Sequence, residues 1–402
     1  MNMKNHINPS FKATAICFSA VLVLFMSASV QAQNPVLAQP TLSITPAGNQ
    51  VVLFWPVTTT NWVLQSTSHL SPPVWSNLSL AQVIVNGQNR VTNPISGTQQ
   101  FYQLSLLDIP SFTSDGMALI PAGSFTIGNS IGDSDITDAN PTNVYVSGFY
   151  MDTNLVNWNQ YQSVFNWAVG QGYDFDDAGS GKAANNPVQT VEWYDAVKWS
   201  NARSQQAGLT PVYYTDTLFT HVYTSGAVDA VYANWSASGY RLPTEAEWEK
   251  AARSGLSGQR FPWGDTICES QANYNGCTGG CSFSYDLGPD GYNALFDSAP
   301  TPYTSPVGSF AANGYGLYDM AGNVEEWCWD WSDLSQPSPP GSPYLGGSDP
   351  RGPAYSPDNG RILRGGQWGE TADGARCAFR SWSQPSDGYD PEGVGFRCVR
   401  GL

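Results

Sequence analysis

The stretch that most constrains the fold runs from position 314 to 331 and reads GYGLYDMAGNVEEWCWDW. Glycines in its first half oppose a continuous helix, since glycine loses more backbone entropy than any other residue when it is ordered. Oxygen-bearing side chains follow closely on these glycines, at Asp319, Asn323, Glu325 and Glu326. The first half is therefore predicted to be a loop that presents several oxygen atoms.

The second half of the same stretch predicts a β-strand with an aromatic face. Trp327, Trp329 and Trp331 alternate with Cys328 and Asp330. Successive side chains of a strand point to opposite faces, so the three indoles would share one face and the smaller polar groups the other.

An oxygen-rich turn in front of a strand suits a structural calcium ion. Ca²⁺ takes several carboxylate and carbonyl oxygens in loose geometry. The same acids are also explained as solvated side chains of a glycine-rich turn, and the residues by themselves leave both interpretations open.

The first part of the chain predicts export. Lys4 and Lys12 precede an apolar run from position 13 to 28, and Ala32 ends a small-residue cleavage site. This pattern is typical of a secretory signal peptide at 1–32. No later stretch is apolar enough to span a bilayer, so we expect a soluble periplasmic or extracellular protein.

The charge of the chain disfavours nucleic acid as a partner. Without Lys4 and Lys12, 15 of the 17 basic residues remain against 33 acidic ones, a net charge of −18. Such a surface repels phosphate backbones. The sequence leaves the oligomeric state open.

Six cysteines follow the signal peptide, which in an exported chain favours disulfides of unassigned pairing. The candidates are Cys268, Cys277, Cys281, Cys328, Cys377 and Cys398. For Cys277 and Cys281 a disulfide that pins an insertion is preferred over a reactive thiol pair. Only His69 and His221 follow the signal peptide, which excludes a histidine-rich metal centre.

Residues 33–109 predict a small antiparallel β-sandwich similar to fibronectin type III or immunoglobulin-like modules. Short alternating runs are separated by turn signals at Gly48–Asn49 and Asn86–Gly87. Such modules are usually spacers or adhesive units. We expect a linker at 110–115 and a second domain at 116–402.

The second domain combines short strands with three helices. Strands are expected around Ile120 to Ile127 and over 144–150, with a solvated acidic loop at 132–143 between them. Asn157 is expected to cap the first helix, and the second lies within 187–207. In the third, Thr244 and Glu247 form a capping box, Trp248 faces the core and Gly255 ends the helix.

Eight motifs in order make this domain resemble the formylglycine-generating enzyme family, also called the sulfatase-modifying factor domain. They read IPAGSFTIG, PVQTVEWYDAVKWSN, GYRLPTEAEWEKAAR, FPWGD, PVGSF, NGYGLYDMAGNVEEW, RGGQW and GFRC. The resemblance implies an α+β fold of the C-type-lectin-like kind, with little regular secondary structure and bound structural calcium.

The resemblance also implies the ligands of two calcium sites. One would use the side chains of Asp319 and Glu326 with the carbonyls of Gly322 and Val324. The other would use the side chains of Asn273 and Asp290 with the carbonyls of Tyr274 and Tyr292.

The oxidases of this family convert a sulfatase cysteine to formylglycine with two cysteines that bind copper(I). Soft thiolates suit copper(I), so this chemistry needs sulfur at both positions. In this chain Glu370 occupies the first of the two positions. Residues 373–375, which end at Ala375, span the second. Copper is therefore not expected. Cys377 and Cys398 align with structural family cysteines, and the usual partners of these two would lie near Ser200 and Ala252. Here Cys377 and Cys398 pair with each other or stay reduced.

Three functions remain for a domain of this kind. The first is a noncatalytic binding or scaffold protein whose pocket holds a peptide or a glycan, and the second is a formylglycine-forming oxidase with atypical residues. The third is a stability or surface-display module with no pocket ligand. The expected pocket residues are Gln367, Trp368, Glu370, Arg376, Arg380 and Trp382.

Overall fold

A computed structural model describes the chain at 15–18, 21–24, 40–56, 62–68, 76–78, 82–85, 88–94, 99–106, 113, 115–228, 230–277, 283–334, 338–386 and 393–402. The chain divides into two compact units, Met1–Ile109 and Pro110–Leu402. Each is described by itself.

The first unit is built from β-strands. They are β1 (Ala15–Phe18), β2 (Val21–Leu24), β3 (Ser43–Ala47), β4 (Gln50–Pro56), β5 (Trp62–Thr67), β6 (Ser76–Asn77), β7 (Gln82–Val85), β8 (Gln88–Pro94) and β9 (Phe101–Leu106). β1 pairs with β2, and the others form a sheet of order β3-β4-β8-β7 and a sheet of order β6-β5-β9, all antiparallel.

Alternation along β4 explains how this unit buries a core. Val51, Leu53 and Trp55 are buried while the residues between them are half-buried. They pack against Leu64 and Leu104 of the second sheet, so one core serves both sheets. Gly48 makes the turn between β3 and β4 at φ 66°. The expected turn at Asn86–Gly87 lies outside the described residues.

The second unit consists of short strands. They are β10 (Met117–Ile120), β11 (Gly123–Ile127), β12 (Thr142–Val146), β13 (Phe149–Asp152), β14 (Tyr213–Tyr214), β15 (Tyr232–Ala233), β16 (Asn275–Gly276), β17 (Gly291–Tyr292), β18 (Glu325–Trp331), β19 (Gly347–Ser348), β20 (Arg361–Arg364), β21 (Ser381–Ser383), β22 (Val394–Gly395) and β23 (Val399–Gly401). The larger sheets have the orders β21-β20-β18-β22, β10-β13-β23 and β11-β12-β19. A single 3₁₀ turn at Pro343–Leu345 and the strand pairs β14-β15 and β16-β17 complete the described elements.

Three helices occur in the described part of this unit: α1 (Trp158–Gly170), α2 (Trp193–Gln206) and α3 (Glu245–Arg253). Asn157 caps α1 as expected, since its side chain accepts the Gln160 N–H at 2.8 Å. The second helix follows an extended segment, as expected, and in that segment Pro187 pairs with Asn157 and Gln189 with Ser180.

α3 confirms the predicted capping box. Thr244 Oγ1 accepts the Glu247 N–H at 3.2 Å, and Glu247 Oε2 accepts the Thr244 N–H at 2.8 Å. Trp248 is buried, as expected. The helix ends one residue before the predicted stop: Ser254 takes the left-handed cap at φ 47°, and Gly255 follows at φ 83°.

β18 has the two faces that its alternation predicts. On one face Trp327 Nε1 donates to the Val191 carbonyl at 2.7 Å, and the Trp329 ring stacks on Tyr213 with centroids 5.2 Å apart. The Arg361 guanidinium lies 3.4 Å from the centroid of Trp331 on this face. On the other face Asp330 Oδ2 accepts the Glu245 N–H at the start of α3.

Two expectations for the beginning of this unit need correction. The strand expected over 144–150 breaks into β12 and β13 at Ser147 and Gly148, where an added Cβ on Gly148 would lie 2.8 Å from Leu402. The acidic loop is not simply solvated, because Asp133 pairs with Arg260 and Arg376 and because Asp138 lies 3.4 Å from Arg380. Its charges are neutralised by arginines that are distant in sequence.

No helix among the described residues combines the length and the apolar character that a membrane crossing requires.

The capping box yields a prediction for the stability of the second unit. Thr244→Ala removes the acceptor of the Glu247 N–H and should lower the free energy of unfolding by about 1 kcal/mol. Thr244→Ser keeps the hydroxyl and should lose less. Urea unfolding of both variants measures this; equal losses in the two would contradict the role of the hydroxyl.

Candidate functional site

The loop that precedes β18 is held by backbone contacts to a second loop. Gly322 forms a bridge with Asn273, and Asn323 donates its N–H to the Asn273 carbonyl at 2.8 Å. Gly322 has φ 75°, and an added Cβ would lie 2.2 Å from the Asn273 oxygen. Only glycine fits this crossing, which brings residues of both expected calcium sites into adjacent backbone segments.

The buried carboxylates of Asp319 and Glu326 share this loop with one arginine. Glu326 receives two hydrogen bonds from the Arg397 guanidinium, at 2.7 and 2.9 Å. Arg397 Nη2 also donates to the Tyr318 and Asp319 carbonyls, at 2.9 and 3.3 Å. One guanidinium therefore faces two carboxylates, and the group carries one negative charge in excess when Asp319 is ionised.

Asp319 has the character of a cation ligand that is incompletely satisfied. Its Oδ2 accepts the Gly308 N–H at 2.7 Å, while Oδ1 is buried with no hydrogen-bond partner among the described residues. The pKa of Asp319 is raised to about 6, chiefly by burial and also by the nearby charge of Glu326, against the opposing effects of the Gly308 N–H and Arg397. A buried, unpartnered carboxylate oxygen fits a bound cation.

A cation at this loop would depend on carbonyl oxygens as well as on carboxylates. In the described part of the chain, no three side chains of His, Cys, Asp or Glu are grouped to hold a metal ion. Ca²⁺ accepts backbone carbonyls readily. The candidate ligands Gly322 and Val324 lie in the same buried turn as Asp319 and Glu326.

The second group of expected ligands lies on the hairpin β16-β17. Asn275 pairs with Tyr292 and Gly276 with Gly291, so Tyr274 and Asp290 directly adjoin opposite ends of this short ladder. Asn273 is buried and donates its Nδ2 to the Tyr303 carbonyl at 2.9 Å. Asp290 is exposed. The hairpin thus places these four residues in one region.

The turn after β20 carries the first three expected pocket residues. The Gln367 N–H donates to Glu370 Oε2 at 3.3 Å, and the Glu370 N–H donates back to the Gln367 carbonyl at 3.1 Å. An added Cβ on Gly374 would lie 2.7 Å from the same Glu370 oxygen. Glu370 therefore lies inside a tight turn rather than on an extended surface.

Trp368 belongs to an aromatic group that the sequence did not reveal. Its ring lies 5.5 Å from Tyr292 and 5.1 Å from Tyr303, centroid to centroid, and those two rings are 5.0 Å apart. Trp368 is buried while Tyr292 is 43% exposed, so one ring of the group faces solvent. Tyr303 carries no local sequence signal for this contact; only its position in the fold brings it here.

The remaining expected pocket residues lie elsewhere in the unit. Arg376 and Arg380 are buried, and each is engaged by carboxylates, Arg376 by Asp133 and Asp135 and Arg380 by Glu245 and Asp333. Trp382 lies on β21 with 37% of its surface exposed and covers Gly360. Both arginines are therefore held in ion pairs, and Trp382 lies on a different segment from the turn that carries Trp368.

The model of the sulfatase-modifying factor enzyme 1-like domain family, FGE-sulfatase, matches residues 107–402. The chain belongs to this family. The formylglycine-generating enzyme of Thermomonospora curvata is 32% identical over 311 residues, which cover 72% of this chain and 95% of the relative. The chaperone protein LppX of Paenibacillus barcinonensis is 30% identical over 292 residues, with coverage of 71% and 90%.

Solved structures agree with this assignment. Treponema denticola variable protein 1 aligns with a TM-score of 0.52 at 26% identity, over 71% of this chain and 95% of that chain. Family membership, expected from the eight motifs, is thereby confirmed. The mostly β second unit, with three helices in its described part, matches the architecture of these C-type-lectin-like relatives.

The cysteines of this family member are dispersed and mostly buried. Cys268, Cys328, Cys377 and Cys398 are free thiols, whereas Cys277 is disulfide-bonded and Cys281 lies outside the described residues. Burial raises the pKa of Cys377 and of Cys398 to about 11, and it raises that of Cys328 well above its usual value. Ser200 Oγ lies 3.5 Å from Cys398 Sγ, where a family disulfide partner was expected.

Asp319 yields a prediction for the pH dependence of stability in calcium-free protein. Its pKa of about 6 exceeds the value of about 4 for an unfolded chain. The protonated form of Asp319 stabilises the folded state. This stabilisation is complete below about pH 4 and is lost as the pH rises through about 6, which lowers the free energy of unfolding by about 3 kcal/mol.

Urea unfolding in EDTA between pH 4 and 7.5 measures this loss. Asp319→Asn cannot titrate and should show a flatter decline than the parent over the same range. Parallel curves for the two proteins would show that Asp319 does not have the raised pKa.

Proposed function

We propose that this protein is an exported, calcium-stabilised binding or scaffold member of the family that lacks the copper-dependent oxidation of sulfatase cysteines. The observation that carries this proposal is the composition of the turn after β20. Copper(I) chemistry requires two thiolates there, and the turn holds Glu370 and the run Asp373 to Ala375.

The state of three of the four free thiols in the described residues supports the proposal. A copper ligand must be a thiolate that the metal can reach. Cys328, Cys377 and Cys398 are buried, and burial raises their pKa values. Cys377 also lies within a packed turn, with its N–H on the Arg260 carbonyl at 2.6 Å. Thiols of this kind pack in a core and do not suit a reactive metal centre.

The region proposed to bind a ligand is the groove beside Trp368, Gln367 and Glu370. An exposed Tyr292 ring over the buried Trp368 offers a flat apolar surface, and Glu370 offers a nearby carboxylate. Aromatic rings next to polar groups suit either a peptide or a glycan. The first unit, a two-sheet module similar to fibronectin type III or immunoglobulin-like domains, would act as a spacer or adhesive unit.

Structural calcium is proposed at the loop before β18 and at the β16-β17 hairpin. The unpartnered Oδ1 of Asp319 and the excess negative charge beside Arg397 support the first of these sites. The ion would supply charge compensation and crosslink the two loops that meet at Gly322 and Asn273.

An oxidase assay tests the central proposal. The purified protein, reconstituted with copper(I) in the presence of oxygen, is incubated with a Cys-x-Pro-x-Arg peptide, and the peptide mass is measured. We expect no conversion, whereas the Thermomonospora curvata enzyme in parallel should convert the peptide. A mass change that matches the aldehyde with this protein would establish the alternative, an oxidase with atypical residues.

Thermal unfolding tests the calcium proposal. A ligand bound only by the folded state raises Tm, and millimolar Ca²⁺ in excess over its Kd should raise it by on the order of 5 °C relative to EDTA. Asp319→Asn should lose most of this rise, and Asp358→Asn, at an exposed aspartate, should keep it. An equal rise in parent and Asp319→Asn would place calcium elsewhere.

A further inference from the structure

A cavity of about 420 Å³ lies between α1 and the end of α2, and none of its lining residues belongs to the groove beside Trp368. Its lining comes from Asn159, Gln160, Ser163 and Val164 of α1, from Arg203, Gln206 and Ala207 at the end of α2, and from Asp115 and Tyr240. The volume lies in the range that small-molecule sites occupy.

The floor of this cavity is rigid and buried. The Arg203 guanidinium lies 3.8 Å from the centroid of Tyr240 and donates to both Asp152 oxygens, at 2.6 and 2.9 Å. Arg203 and Tyr240 are only 6% and 4% exposed. Asp152 uses two of the five N–H groups that a guanidinium carries. A buried, oriented arginine that borders an open cavity is a typical element of a built binding site.

The charges around the cavity compensate one another. Asp152 neutralises Arg203, and Asp115 accepts the Tyr240 hydroxyl at 2.7 Å with Arg400 Nε at 3.7 Å. Neither sign of charge is in excess. A phosphate or a carboxylate would therefore find no unpaired cation, and an ammonium group would find no unpaired carboxylate.

The walls of the cavity carry polar side chains, of which Asn159, Ser163 and Gln206 are exposed and Gln160 is half-buried. Across the described residues, the side chains of Asn159, Gln160, Ser163 and Gln206 make no hydrogen bond to protein. Amides offer a donor and an acceptor side by side, and the hydroxyl offers both from one atom. The apolar contribution is small, since only Val164 and Ala207 line the cavity with purely aliphatic side chains.

From these observations we infer that the cavity between α1 and α2 binds a neutral polyhydroxylated ligand, a sugar of one or two rings. Vicinal hydroxyls donate and accept from adjacent positions, which matches the amides of Gln160 and Gln206 that line the cavity. Asp115 and Arg203 supply an acceptor and a donor at the floor. An apolar ligand would leave these polar groups unpaired, which disfavours it.

Ligand-observed NMR on the full chain, with glucose, N-acetylglucosamine and maltose as probes, tests this inference. At least one neutral sugar should bind saturably, and glucuronate and glucose 6-phosphate should bind more weakly than their neutral counterparts. The double variant Gln160→Ala/Gln206→Ala should weaken binding at least about tenfold, as expected for the loss of two hydrogen bonds.

Matched variants separate the cavity from other surfaces. Gln162→Ala changes an exposed glutamine of the same helix that does not line the cavity and should leave binding unchanged. Trp368→Ala should also leave it unchanged, which separates this site from the proposed groove. Failure of every neutral sugar to bind would overturn the inference, as would undiminished binding in a folded double variant or equal binding of charged sugars.

Discussion

The second unit depends on a carboxylate that is fully buried, that of Glu249 in α3. It accepts hydrogen bonds from the Gly128 N–H at 2.7 Å, from Arg253 Nε at 2.8 Å and from Arg364 Nη2 at 2.5 Å. These donors belong to the turn after β11, to α3 itself and to β20. A buried charge is tolerated only when it is paired and hydrogen-bonded, so the three segments must assemble together for any one of them to be stable. This requirement places the turn after β20, which carries Trp368, against α3.

A second buried charge group positions the loop before β18. Arg397, next to β22, spans from Glu326 to the Tyr318 and Asp319 carbonyls. Like a bound cation, the arginine holds carbonyl oxygens and a carboxylate around one positive charge. Asp319 retains an unpartnered oxygen at the edge of this arrangement. The geometry is consistent with a fold in which arginine and a bound ion share the neutralisation of one acidic loop.

Local sequence patterns predicted the elements that depend on residues close together in the chain. The capping box of α3 depends on residues three apart, and the two faces of β18 follow from strict alternation. The environment of Asp133 and Asp135 could not be predicted from local sequence patterns. Their partners Arg260 and Arg376 lie 127 and 241 positions away, so a run of acids that suggests solvation is neutralised in the fold. The aromatic group of Tyr292, Tyr303 and Trp368 was missed for the same reason.

The sequence by itself determined the family, the order of the strands and helices around its motifs, and the absence of cysteine between Arg364 and Arg376. These features depend on residue identity and on short spacings along the chain, so they can be identified without knowledge of the fold. Only the tertiary structure decided that Arg376 and Arg380 serve buried ion pairs, that Gly322 must cross the Asn273 carbonyl, and that α1 and α2 enclose a polar cavity. Each of these arises where segments distant in sequence meet, and burial then sets which charges and backbone atoms must be paired.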